Sequence, residues 1–164
     1  MQLRPSSKGV VLTLARAEAH FVAHVLGRIL ENYESPAGDE GFTARWDGRD
    51  ALRRSGAAEE DEALWMEERA AFRGAHAEAL RSWRQHLAGL QGEWAEWALD
   101  RKDIEIFLLT ANDHRMYLAH RYSIGEGDME SRLEEIGDDD RRMALVEIHL
   151  LAQMMEMLLP HAPV

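Results

Sequence analysis

Apolar positions recur at steps of three and four over most of the chain, and the breaks between those runs divide it into elements. Gly9-Val10-Val11-Leu12-Thr13-Leu14 departs from that period. It is rich in β-branched residues and predicts a short strand over about 9–13. Thr13 stands where it could cap a helix reaching about Tyr33. Phe21, Val25 and Ile29, with Val22, Leu26 and Leu30 beside them, give that helix a broad apolar stripe. Ser35-Pro36-Ala37-Gly38 ends it. Residues 34–57 have little periodicity and predict a long connection, mobile or functional as such loops often are. One helical turn is expected near Ala51–Arg54, with Phe42 and Trp46 tacking the connection down.

Trp65, Phe72, Ala75, Ala79, Trp83, Leu87 and Leu90 then predict a long helix over 58–90. Glu59, Glu60, Asp61 and Glu62 favour its N-terminus, where carboxylates meet the positive end of the helix dipole, and Gly89 and Gly92 favour its end. Glu93 to Leu99 fits either a strand or a continued helix. Asp100 with Asp103 has the spacing of a capping box. The segment from about 101 to 122 is apolar on nearly every side, which predicts a central, buried helix.

Val11-Leu12-Thr13 followed by a helix echoes Ala98-Leu99-Asp100 followed by a helix, so the two short strands, about 9–13 and 94–99, are candidates to pair as a ribbon. Residues 123–137 form an acidic connection with a short helix expected near Met129–Glu135. Asp138 or Asp139 caps a last helix to about Leu159, stopped by Pro160 and Pro163. The expected fold is mainly α: one domain over 1–164, a bundle of about four to six helices around the central one, with a minor two-stranded β ribbon.

Composition narrows the chemistry. A chain of 164 residues buries on the order of 70% of its unfolded surface and needs no staple. There is no cysteine, which removes thiol catalysis, disulfides and cysteine-ligated metals. The net charge of −11 disfavours nucleic acid and anionic lipid. The best basic patch, Arg45, Arg49, Arg53 and Arg54, is interleaved with Asp47 and Asp50. No stretch approaches 18 uninterrupted apolar residues, and Met1 to Ser6 lack a signal-peptide core. A cytoplasmic location without membrane contact is therefore expected.

Two constellations could carry function. Asn112-Asp113-His114-Arg115 falls in the middle of the most apolar helix, with Arg115 near its apolar stripe. A buried guanidinium must be paired, because desolvating an unpaired charge costs several kcal/mol. Asn112, Asp113 and Arg115 therefore form either a binding site or a structural network pinning the helix to its neighbours. His20 and His24 lie four apart on one helix face, a spacing that suits a divalent metal. Two ligands do not make a site, and only Glu31 could add to them on that flank; the alternative is a pair of solvent-facing histidines. His114, His120 and His149 form no set. No phosphate loop, nucleophile elbow or calcium loop is present, no cofactor is expected, and the balance weighs against an enzyme. Met143, Met154, Met155 and Met157 give the last helix a soft, adaptable face, and the tryptophans are candidate contact residues.

The pattern Trp97-Ala98-Leu99-Asp100, then Phe107-Leu108-Leu109-Thr110-Ala111-Asn112-Asp113-His114-Arg115 and Arg121-Tyr122-Ser123-Ile124-Gly125, resembles an uncharacterised bacterial family, domain of unknown function two-zero-one-seven. The N-terminal strand-then-helix segment is also similar. Ala111 departs from the leucine the motif prefers, and the tryptophan-rich middle is unfamiliar. The family has no established activity. Its genes often neighbour that of the adaptor of the Clp protease, so the resemblance implies a link to regulated proteolysis. The expected function is a non-catalytic helical interaction or regulatory protein that binds a protein partner or itself. The alternative is a small-ligand or metal-binding protein using His20 and His24, or Asn112, Asp113 and Arg115.

Overall fold

Val10, Leu12 and Leu14 occupy every second position, so an extended chain through them buries one face. The computed structural model describes residues 1–34, 46–129, 133 and 136–163. In it this run is the middle strand, β2 (Gly9–Ala15), of a three-stranded antiparallel sheet between β1 (Gln2–Pro5) and β3 (Trp94–Asp100). Val11 stands opposite Ala98 and Leu12 opposite Trp97. The ribbon expected from the echoed segments is therefore present, and longer at both ends. The added strand, β1, is four residues long with Leu3 its one aliphatic side chain, too short to show a period. Thr13 does not cap the first helix. β2 continues to Ala15, opposite Trp94, and the Glu18 carboxylate receives the Ala15 N–H at 2.7 Å.

Gly9 opens β2 where the backbone of β3 leaves no room. A Cβ there would overlap the Leu99 carbonyl oxygen and stand 2.9 Å from Asp100 Cα. Backbone atoms cannot rotate away as a side chain can. Gly9→Ala should cost about 1–3 kcal/mol and lower the thermal midpoint by about 2–12 °C, read by circular dichroism. An unchanged midpoint would remove close approach as the reason for glycine.

Six α-helices are present among the described residues: α1 (Arg16–Glu34), α2 (Arg49–Ser55), α3 (Glu59–Ala88), α4 (Arg101–Arg121), α5 (Glu126–Met129) and α6 (Asp139–Leu158). The turn expected near 51–54 is α2. Phe42 lies outside the described residues, as do 130–132 and 134–135 of the short helix expected near 129–135. α1 packs along α3, but the first buried residue of α3 is His76, so its N-terminal half lies outside the main core. Trp83 of α3, Trp97 of β3 and Phe107 of α4 meet in that core, with ring centroids 5.5 Å apart for the two tryptophans and 5.8 Å for Trp97 and Phe107.

α4 starts as its sequence predicts. Asp100 Oδ1 accepts the Asp103 N–H at 2.8 Å, and Asp103 Oδ2 accepts the Asp100 N–H at 3.1 Å. It is not buried all round. It buries Ile104, Ile106, Phe107, Thr110, Ala111, His114 and Leu118, but leaves Leu109 43% and Met116 54% exposed. α6 packs on α4 and is capped by Asp138, which accepts the N–H groups of Asp140 and Arg141. By length and composition alone the stretch Asp139–His161 could cross a membrane, since it contains an 18-residue window with a mean hydropathy of 1.3. Its apolar face, including Leu145, Leu151 and Met154, packs into the interior as the face of a core helix does.

Candidate functional site

Four residues on three helices build a polar centre inside the bundle. Arg28 and Asn32 lie four apart on α1 and so share a face. His114 of α4 meets Glu147 of α6 at 3.1 Å, from Nε2 to Oε2, and Asn32 Nδ2 at 3.0 Å from Nδ1. Asn32 Nδ2 donates, so Nδ1 accepts, and the ring proton sits on Nε2 and points at Glu147. The other oxygen of Glu147 is paired with Arg28. His114 is 2% exposed and Glu147 0%. Both ring nitrogens and both carboxylate oxygens are engaged within the protein. The pair has the composition of a base and its orienting acid, but it has no free nitrogen to present to a substrate.

Beside it, the Tyr33 hydroxyl donates to Asp113 Oδ2 at 2.6 Å. Burial holds the Tyr33 proton on far above the ordinary phenol range, and the Asp113 charge adds to the effect. Burial also pushes the nearby His76 imidazole down, and its Nδ1 has no hydrogen-bond partner among the described residues.

Asn112, Asp113 and Arg115 do not form one cluster. Successive residues of a helix turn by about 100°, so neighbours in sequence diverge. Asp113 points toward Tyr33 of α1. Asn112 is exposed, with Nδ2 3.6 Å from Met116 Sδ. Arg115 leans on α6, its Nη1 3.6 Å from Met155 Sδ, while its Nε is buried without a hydrogen-bond partner among the described residues. Asn112 and Arg115, three apart, do share one feature. Both line a cleft of about 320 Å³ whose walls include Met116, Ile124, Met129 and Ile148. The exposed strip Leu109–Asn112–Met116 leads into it.

His20 and His24 are exposed on α1, as is Glu31. Among the described residues no three His, Cys, Asp or Glu side chains stand together as a metal-binding group. In the arginine-rich segment, Arg53 pairs with Glu62 at 2.6 Å, and Arg49 lies 3.9 Å from the buried Asp47, which also pairs with Arg73. Arg45 lies outside the described residues.

The residues that sequence reasoning missed are Arg28, Asn32, His114 as a paired group, and Glu147. One signal was available. Glu147 is a lone carboxylate inside Ala144-Leu145-Val146-Glu147-Ile148, where an unpaired charge would be costly.

No curated protein and no solved structure matches the chain. A family described as a domain of unknown function, DUF2017, matches it over residues 1–161, well beyond the segment that first suggested it. The chain belongs to the DUF2017 family.

Proposed function

We propose that the protein is a non-catalytic interaction or regulatory protein of the bacterial cytoplasm that docks a protein partner on the exposed face of α4. One observation carries this reading. Leu109 and Met116 stand on the central helix, seven residues apart on one face, and remain open to solvent beside an apolar cleft. Covering apolar surface contributes roughly 25 cal/mol per Å², so such a strip favours a partner. Methionine suits the role because its side chain adapts to the surface it meets. The engagement of His114 and Glu147 inside the bundle supports a structural rather than catalytic use of this acid–base pair. The resemblance supplies the setting, regulated proteolysis.

Leu109→Glu with Met116→Glu tests it. Both positions are exposed, so stability should change by less than about 1 kcal/mol. Proteins co-purified from the native host by the unaltered chain, read by mass spectrometry, should fall about tenfold with the variant. An unchanged set would sink the reading. A dimer seen by light scattering and lost in the variant would assign the face to a second copy of the chain instead.

A further inference from the structure

We propose that the cleft beside Arg115 holds the C-terminal carboxylate of a protein partner whose last residue is apolar. The inference rests on the reading of the α4 face as a docking surface and names what anchors there. It starts from an incomplete cation. Arg115 lies half-buried, and among the described residues its contact of hydrogen-bond length is to the Met155 sulfur at 3.6 Å. Sulfur is a weak acceptor, and the buried Nε has no acceptor among the described residues. Elsewhere in the protein Arg28, Arg53, Arg73 and Arg81 each meet a carboxylate. A desolvated guanidinium favours a carboxylate because the planar fork offers two parallel, charge-assisted hydrogen bonds.

The rest of the cleft sets what carries that carboxylate. Met116, Ile124, Met129 and Ile148 give it apolar walls. Its volume of about 320 Å³ is at the small end for ligand pockets, about 300–1,000 Å³, and suits one chain end rather than a segment passing through. An internal Asp or Glu would bring backbone N–H and C=O groups on both sides into apolar surroundings, where each needs a partner. A C-terminal residue brings one carboxylate and one apolar side chain. Glu126 on the same lining and the net charge of −11 both oppose an anion, so the attraction is local to Arg115 and is weakened by each further negative charge on the occupant.

The test uses the full chain with methyl-labelled methionine. The peptide acetyl-Ala-Leu-Leu is titrated as the free acid and as the C-terminal amide, with hexanoate as a third probe. The free acid should shift the Met116 and Met129 methyl resonances, and the amide should bind about tenfold more weakly, the scale of one charge-assisted pair. Arg115→Gln should abolish the difference between acid and amide, while Arg115→Lys, which keeps the charge, should retain part of it. Equal shifts from acid and amide, or none from either, overturn the proposal. Hexanoate binding as tightly as the peptide would assign the cleft to a small acid and overturn the chain-end assignment. Loss of the acid preference with partner capture still sensitive to Met116→Glu would leave the docking face standing without its carboxylate anchor.

Discussion

Replacing Glu147 by alanine should lower the free energy of unfolding by about 3 kcal/mol, the low end of the range for removing one partner of a buried ion pair. The carboxylate is fully buried between Arg28 and the His114 Nε2–H. Deleting it leaves a cation and a ring N–H with no acceptor inside a helix interface. The cost sits at the low end because the Arg28 side chain keeps 27% of its surface in water and can turn toward it. For a chain of this size such a loss is a fall of about 6–12 °C in thermal midpoint. Glu147→Gln should lose less, since its amide oxygen still accepts from His114, although the NH2 that replaces the other oxygen meets Arg28 donor to donor and the charge is gone. A double-mutant cycle with Arg28→Ala should give a coupling above about 0.5 kcal/mol, because the residues touch. Urea unfolding of the five proteins measures these free energies. A loss below about 1 kcal/mol for Glu147→Ala would be that of an ordinary surface change and would remove the buried pair as the lock between α1, α4 and α6.

That lock shows where sequence reading stops. The helices were legible because their signals are local. Asp100 with Asp103, and Asp138 before α6, satisfy N–H groups two or three residues away, so the cap and its helix are written together. The echo between Val11-Leu12-Thr13 and Ala98-Leu99-Asp100 located two strands that do pair, because alternation is local too. It misplaced the cap at Thr13, since what keeps residues 13–15 extended is β3, some eighty residues along the chain. β1 was missed for the same reason: four residues become a strand through pairing with β2, not through their own pattern.

The site follows this division. Asn112, Asp113 and Arg115 drew notice as neighbours in sequence, yet the helical turn sends Asp113 to Tyr33 and leaves Asn112 and Arg115 at the cleft. The exposed Leu109 and Met116 made the helix look apolar on every side, although those two residues never enter the core. His114 and Glu147 met only because α4 packs on α6, a contact that no spacing within either helix encodes.

Trp97→Ala should be of comparable or larger effect, about 3–5 kcal/mol, the range for truncating a buried aromatic. Its ring is 2% exposed and sits edge-on to both Trp83 and Phe107, so it joins α3, β3 and α4 at one point. Alanine leaves a cavity among three elements of different type. The strand end and the helix start at Asp100 fix the backbone on one side of it, which limits how far the walls can close. Edge-on aromatic pairs add about 0.5–1.5 kcal/mol each beyond the area they bury, and two such pairs are lost. Trp97→Phe separates the terms. It keeps a ring against both neighbours and removes an indole N–H that is buried without a hydrogen-bond partner among the described residues. Phenylalanine is smaller by three ring atoms and leaves a partial cavity, so its cost should fall below that of alanine, at about 1–3 kcal/mol. Urea unfolding followed by far-ultraviolet circular dichroism, which does not depend on the deleted fluorophore, compares the two. Equal losses for phenylalanine and alanine would mean that the edge-on ring contacts kept by phenylalanine contribute nothing measurable, and would remove the aromatic junction as the source of the cost.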